Sequence, residues 1–288
     1  VIGMTTQFTT GQARQAELFA SLHRAGDPLL LANAWDVASA VAIAAAGAKA
    51  IATTSAGVAW SLGVPDGADL GAERAAAVIS RIAAAVSLPV SADIEAGYGD
   101  SPDAVAATVA AVVEAGAVGV NLEDRRDGSS SLFEPSEQAD RLAAARAAAA
   151  IRTPVPGAAA AWINARTDVF LTGAHSSTSA AVAAALDRAA AYQAAGADSL
   201  FVPGLVDQAA IAELAAGPLP VAVMVWPGAP AVAELTAAGA VRISLGSAIA
   251  QAAYGVATRA AAELFTTGTY DSSAAGFEYG TMNDALTR

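Results

Sequence analysis

Short apolar runs alternate along this chain with Ala-rich stretches whose polar residues recur at helical spacing. The phrase Ala-Gly-Ala followed by an apolar run occurs around Gly47, Gly116, Gly196 and Gly239. Each of these glycines closes an Ala-rich helical pattern, where a C-terminal cap is expected. Between them lie runs introduced by proline: Pro28, Pro89, Pro154 or Pro156, and Pro220. The two kinds alternate and predict eight strands. Helices are predicted over 36–47, 70–87, 102–116, 136–150, 178–195, 207–216, 229–238 and 247–266. Ser101-Pro102-Asp103 and Pro135-Ser136-Glu137 are helix-start signals.

Strands alternating with helices argue for a parallel sheet. Eight such units in about 250 residues argue for a closed (β/α)8 TIM barrel. An open doubly wound sheet is the alternative. It would more often carry a Gly-rich turn after its first strand, and that turn here is Asn33-Ala34-Trp35-Asp36. No linker or composition shift divides the chain, so residues 1–288 read as one domain. The polar, Gly-containing tail 267–288 is long for a simple end and is expected to pack on a neighbouring subunit.

Composition narrows the chemistry. Hydrophobic residues make up 55 %, which assures a core. The net charge of −12 argues against nucleic acid or an anionic membrane as a partner. There is no cysteine, which excludes disulfides, thiolate catalysis and Cys-based metal sites. With only His23 and His175, a multi-histidine metal site is disfavoured. The start Val1-Ile-Gly-Met4 lacks signal-peptide character, and the uncharged run between Glu213 and Glu234 carries four prolines. A cytoplasmic protein is the expectation.

In a barrel the chemistry sits at the C-terminal ends of strands. The stretch Val90-Ser-Ala-Asp-Ile-Glu-Ala-Gly-Tyr-Gly99 reads as a strand ending in the turn Gly97-Tyr98-Gly99, and places Asp93 and Glu95 two apart, so that they share one face of it. Neighbouring strand ends supply Trp35, Asp36, Thr53, Ser55, Asp66, Asn121, Glu123, Asp124, Asn164, Arg166 and Asp168. Carboxylates without His or Cys suit Mg2+, with Mn2+ as an alternative, and some would act through water. Arg166 could clamp a substrate carboxylate in a bidentate pair. Ser55 and adjacent amides could act as oxyanion donors. Trp35, Thr53 and Asn164 are further candidate substrate contacts. Plainer readings stand beside these: Asp36 and Asp168 as helix caps, Arg166 as a structural partner of Glu123, Arg125 and Arg126 as a solvated loop.

Six segments carry a resemblance: Ala32-Asn-Ala-Trp-Asp36, Thr53-Thr-Ser-Ala-Gly57, Gly63-Val-Pro-Asp66, Ala92-Asp-Ile-Glu-Ala-Gly-Tyr-Gly99, Val120-Asn-Leu-Glu-Asp124 and Ile163-Asn-Ala-Arg-Thr-Asp168. Across roughly residues 27–265 the chain resembles the isocitrate lyase/phosphoenolpyruvate mutase superfamily. The resemblance implies a barrel with a swapped C-terminal helix, a tetramer built from dimers, Mg2+, and a 2-oxo acid or its enolate as ligand. It implies Asp93 as direct metal ligand, Glu95 in place of a second aspartate, and Glu123 on metal-bound water. Asp66 would be a further acid near metal and substrate. Ser55, Ala56 and Gly57 would grip the pyruvyl carboxylate, and Arg166 would bind substrate.

The departures are informative. Members that cleave isocitrates carry a Lys-Lys/Arg-Cys-Gly-His loop, where this chain reads Arg125-Arg-Asp-Gly-Ser-Ser-Ser. Residues 127–133 still read as a gate by their glycine and serines. Phosphonate-processing members carry a histidine near the position of Pro203. The expected activity is therefore cleavage of a 2-oxo or 2-hydroxy acid through a pyruvate-type enolate, with an oxaloacetate-like substrate first. The alternatives are phosphonopyruvate hydrolase or phosphoenolpyruvate mutase chemistry, a ketopantoate hydroxymethyltransferase-like aldol enzyme, a phosphate-binding isomerase barrel using Gly246-Ser247, and a 2-oxo-acid-binding protein without turnover.

Overall fold

The computed structural model describes residues 2–68, 70–126, 129, 131–151 and 160–287. Its centre is a single parallel sheet of nine segments that closes on itself. β1 (Leu29–Leu31) and β2 (Asn33–Ala34) are two halves of one strand, broken at Ala32. β1 pairs with β9 (Ala240–Ser244), and β2 pairs with β3 (Ile51–Thr53). Between them run β4 (Val90–Asp93), β5 (Gly119–Glu123), β6 (Trp162–Arg166), β7 (Ser199–Phe201) and β8 (Val221–Met224). The eight predicted strands are thus all present, and the first-to-last pairing makes the barrel closed. Pro154 and Pro156 lie outside the described residues.

The helices α2 (Val37–Ala45), α4 (Ala72–Ala85), α5 (Pro102–Glu114), α6 (Pro135–Ile151), α7 (Thr178–Ala194), α8 (Gln208–Ala215) and α9 (Val232–Ala237) form the outer layer. A short α3 (Ser55–Ser61) follows β3. Their starts follow local chemistry. Asp36 caps α2 by accepting from the Ser39 amide at 2.7 Å, and Ser101 caps α5 ahead of Pro102. The Ala-Gly-Ala glycines have φ of +95° to +110°. At Gly116 and Gly239 a Cβ would come within 2.7 Å of Ala83 and Ala215, so both the turn and the close approach to helices α4 and α8 require glycine.

Strand residues pointing outward, such as Val120, Leu122, Ile163 and Leu200, form the main core with Ile94 just past β4 and with the helices. A smaller cluster sits at the other end of the barrel. There α1 (Ile2–Ser21), a helix the hydrophobic pattern does not announce, seats Ala16, Phe19 and Leu22 against Leu29, Leu31, Ala52 and Val118.

The eighth helix of the pattern, α10 (Ala248–Thr267), does not complete the outer layer. Among its residues only Ala250 is buried, and its main contacts are with β2 and its own tail. The space between α2 and α9 is left as an apolar groove of about 660 Å³, lined by Leu30, Ile43, Val225, Val232, Leu245 and Ile249. The tail forms a 3-10 turn (Asp271–Ser273) and α11 (Tyr279–Leu286), which lies against α2 of its own chain.

Candidate active site

At the C-terminal mouth of the barrel, β3 to β6 converge on Asp93. The Ser55 hydroxyl and amide both donate to Asp93 Oδ2, at 2.8 and 3.2 Å, and the Asp93 amide donates to Thr53 Oγ1 at 2.9 Å. One carboxylate oxygen is therefore fixed by two donors from Ser55, and the Asp93 backbone by Thr53. The other, Oδ1, is buried and has no hydrogen-bond partner among the described residues. A buried carboxylate oxygen left unmatched is costly, and it marks where a ligand would be gained.

β4 ends at Asp93, so the same-face argument for Glu95 does not hold. Glu95 lies in a turn, in the left-handed region at φ +51°, and Tyr98 follows at φ +52°. Left-handed non-glycine residues cost on the order of 1–3 kcal/mol each and persist where their surroundings over-determine them. Here the surroundings are explicit. Arg141, buried on α6, donates to the carbonyls of Ala96, Gly99 and Asp100, and stacks over Phe133 at 4.0 Å. The Glu123 amide donates to Glu95 O at 2.9 Å, and Thr108 holds Gly97 O at 2.8 Å. Glu95 is thereby aimed back toward the site by the turn and not by strand alternation.

Arg166, at the end of β6, is shared between two carboxylates: Glu123 Oε2 at 2.8 Å, and Asp168 through a two-pronged pair at 2.6 and 2.9 Å. Burial works against its charge, but Glu123 and Asp168 outweigh burial and hold its pKa above the usual value. Burial, with Asp168, Asp93 and Glu95 nearby, raises the pKa of Glu123, while the charge of Arg166 opposes this. The arginine is thus both the structural partner of Glu123 and a rigid fork at the mouth. Asp168 belongs to this fork and not to a helix cap.

The other residues separate by depth. Asp66 sits on the exposed loop after α3, and its pKa is raised by partial burial and by Asp93, with Arg166 and Arg125 opposing. It therefore overhangs the same cluster. Trp35 lies beside Gly57, where an added Cβ would meet Trp35 Cβ and Thr54 Cγ2 at 2.8 Å. Ser55, Ala56 and Gly57 open α3 beside Asp93. Asn164 lies one layer deeper, with its amide committed to Asn121 and Ser199 at 2.8 and 2.6 Å. Thr53 is buried against the Asp93 amide.

Asp124, named from its strand end, is held by Arg188 and Tyr192, which have no sequence signal of their own. Asp124 is fully buried and accepts from the Asp168 amide, Arg188 Nη1 and Tyr192 Oη at 3.0, 3.0 and 2.8 Å. Arg188 also donates to Phe133 O, and the Phe133 amide donates to Asp124 O at 2.7 Å. This pins the base of the loop that Arg125 and Leu132 close by an antiparallel bridge. Of the predicted gate, Asp127, Gly128 and Ser130 lie outside the described residues. Arg126 is paired with Glu137 at 2.6 Å.

A closed parallel barrel with buried carboxylates and a forked arginine at its C-terminal mouth defines the class: a (β/α)8 protein with its candidate site at the strand exits. Comparison with known proteins makes this specific. The phosphoenolpyruvate phosphomutase family pattern matches residues 19–265. The chain belongs to the phosphoenolpyruvate mutase/isocitrate lyase superfamily, whose enzymes are lyases and mutases of 2-oxo and 2-hydroxy acids.

An uncharacterised protein of Mycobacterium tuberculosis is 39% identical over 232 residues, covering 80% of this chain and 81% of its own. A Burkholderia cenocepacia structure, provisionally assigned as a lyase/mutase, is 36% identical with a TM-score of 0.86, covering 97% of this chain and 98% of its own. Salmonella typhimurium 2-methylisocitrate lyase is 31% identical over 63% of this chain and 59% of its own. A Rhodopseudomonas palustris oxaloacetate decarboxylase is 35% identical over 56% and 53%. Phosphonopyruvate hydrolase, solved with oxalate and Mg2+, shares the fold at 23% identity and a TM-score of 0.78, covering 95% of each chain. No described helix is long and apolar enough to cross a membrane.

Proposed function

We propose that this chain is a Mg2+-dependent enzyme that cleaves a small 2-oxo acid through a pyruvate-type enolate, with oxaloacetate or a close analogue as substrate and CO2 as leaving group. The observation that carries this reading is the unmatched, buried Oδ1 of Asp93 at the centre of a carboxylate cluster. A hard divalent cation fits that donor set. Among the described residues no three acidic or histidine side chains are gathered closely enough to hold a metal directly. The fit is therefore to a largely hydrated ion: Asp93 as direct ligand, with Glu95 and Glu123 acting through water. Mg2+ favours this arrangement, and Mn2+ would accept it.

When bound, such an ion supplies Lewis-acid polarisation of a 2-oxo carbonyl. The chain's own residues do the rest. Ser55 and Thr53 fix Asp93 before ligand arrives. Arg166, held rigid by Glu123 and Asp168, presents its remaining N–H donors to the substrate carboxylate, beside Trp35 and the first turn of α3, Ser55-Ala56-Gly57. The bond to the departing carboxylate breaks, CO2 leaves, and its electron pair remains on the pyruvyl fragment. That carbon then takes a proton from water or from a group on the overhanging loops, of which Asp66 is the described carboxyl.

Decarboxylation needs no acid on the leaving group. This suits a chain without the Cys-Gly-His loop, and it agrees with the similarity to an oxaloacetate decarboxylase. The similarity to 2-methylisocitrate lyase favours a second reading, aldol-type cleavage of a 2-hydroxy acid. Product analysis separates them. Wild-type enzyme is offered oxaloacetate, phosphonopyruvate and a 2-alkylmalate, and the partner of pyruvate is identified. CO2 from oxaloacetate supports the first reading. Phosphate, or a second carbonyl compound, supports a different leaving group. No product from any of them, with tight binding of oxalate, selects a binding protein.

We further propose that the enzyme assembles by exchanging α10 between copies, in a tetramer built from dimers. The support is a matched pair: a 20-residue helix exposed along its length, and an apolar groove where an eighth barrel helix would lie. Leu30 of the barrel strand is 50% exposed in that groove.

A further inference from the structure

One layer below the mouth, the barrel lumen is polar. Asn121 Oδ1 accepts from Asn164 Nδ2, Asn164 Oδ1 accepts from Ser199, and Ser199 accepts from Trp162 Nε1. The centre of this layer is Arg242 on β9, which is 2% exposed. Its Nη2 donates to Asn121 Oδ1 at 3.0 Å. β9 and β5 are separated by three strands, so this bond spans the lumen. Asn121 is in register with Asp93 on one side and lies two residues before Glu123. Among the described residues Arg242 Nη1 has no hydrogen-bond partner, and no carboxylate lies within ion-pair distance of this guanidinium.

A fully buried guanidinium without an adjacent carboxylate is expensive, and it is retained only where its charge is compensated from further off. The acidic cluster above is the available compensation. Burial lowers the pKa of Arg242 to about 10, and Asp93 is the carboxylate whose charge pulls the other way. Arg166 is already committed to Glu123 and Asp168, so Arg242 is a second, separate cation facing the site from beneath.

We propose that Arg242 is a positioning residue: it braces β5 across the lumen and sets the charge balance under Asp93, restraining metal affinity while favouring the anion that binds with the metal. This inference rests on the metal-enolate reading given above. Its physical content is a sign. A fixed positive charge repels a divalent cation and attracts a carboxylate, so removing it must move the two affinities in opposite directions. A unit charge roughly 10 Å away at an effective dielectric constant of about 20 is worth roughly tenfold per unit of ligand charge, or on the order of a hundredfold for a divalent ion, which screening by solvent and salt brings down to about tenfold or more.

The test uses Mn2+ and oxalate as probes on full-length protein. Free Mn2+ is measured by electron paramagnetic resonance, oxalate binding by calorimetry at saturating Mn2+, and folding by thermal melts. The variants are R242M and R242Q, which lose the charge, and R242K, which keeps it; R242Q retains a donor for Asn121 should R242M fail to fold. The expected result is Mn2+ binding about tenfold tighter and oxalate about tenfold weaker in the neutral variants, with R242K within about threefold of wild type. Unchanged Mn2+ affinity in the neutral variants overturns the proposal. So does weakening of both ligands together with a lowered Tm, which is the signature of a packing role. Wild type that binds no Mn2+ overturns the functional reading itself, a result distinct from either of these.

Discussion

His23 should make this protein acid-sensitive in a defined window. Its Nδ1 donates to Phe19 O at 2.9 Å, so the other nitrogen, Nε2, carries the lone pair. Nε2 is buried without a hydrogen-bond partner among the described residues, and the ring stacks on Trp162 at 4.2 Å. Burial, and then the charge of Arg242, lower its pKa from 6.5 to about 3, against the Phe19 carbonyl, which favours the proton. The unfolded chain therefore takes up this proton near pH 6.5 and the native chain only near pH 3. Stability from a neutral His23 is complete above the unfolded value and declines as pH falls, by at most about 1.4 kcal/mol per pH unit. Between about pH 6.5 and 4.5, with allowance for solvent screening, the loss should be about 1–3 kcal/mol. Urea unfolding of wild type and His23→Phe at about pH 7, 5.5 and 4.5 measures it. Phenylalanine keeps the stacking and removes the titration, so other groups cancel in the difference. The variant should gain on wild type as pH falls. Parallel pH profiles for the two proteins would refute the reasoning.

Three further outcomes follow from particular contacts. Gly119→Ala places a Cβ 2.7 Å from Phe19 Cε1 and 3.3 Å from Ser91 Oγ, and should cost about 1–3 kcal/mol by denaturant unfolding. Asp124→Asn leaves Arg188 and Tyr192 with a weakened buried partner and should cost about 3–5 kcal/mol, with faster proteolysis at the loop before Phe133. Leu30→Asp puts a charge in the apolar groove between α2 and α9, and should shift the protein toward monomer in sedimentation experiments while leaving its circular dichroism unchanged.

The barrel was legible because its signals are local and repeated. Proline-led and Ala-Gly-Ala-led strands need no tertiary information to be found, and the Asp36 and Ser101 caps act within one turn. What escaped depends on partners distant in sequence. α1 has no strong apolar stripe, and its role at the barrel floor rests on a few residues such as Phe19. The turn at Glu95 is left-handed because Arg141, 46 residues later, holds its carbonyls. Period-two reasoning cannot foresee that. Asn164 looked like a site residue because it precedes Arg166 by two, but the lumen has layers, and its layer is the deeper one. Arg242 lies in an apolar run, Val241-Arg-Ile-Ser-Leu245, where one charged residue looks like an exposed strand position. Only the closed barrel turns it inward.

The central claim is that Asp93 anchors a divalent ion at which a 2-oxo acid is cleaved. The most direct measurement is pyruvate release from oxaloacetate by wild type and by Asp93→Ala, each with Mg2+ and with chelator. Oxaloacetate decarboxylates with free metal, so the variant in Mg2+ sets the background. The account predicts wild-type turnover well above that background, falling to it with chelator and in Asp93→Ala. Equal rates for wild type and Asp93→Ala in Mg2+ would contradict it.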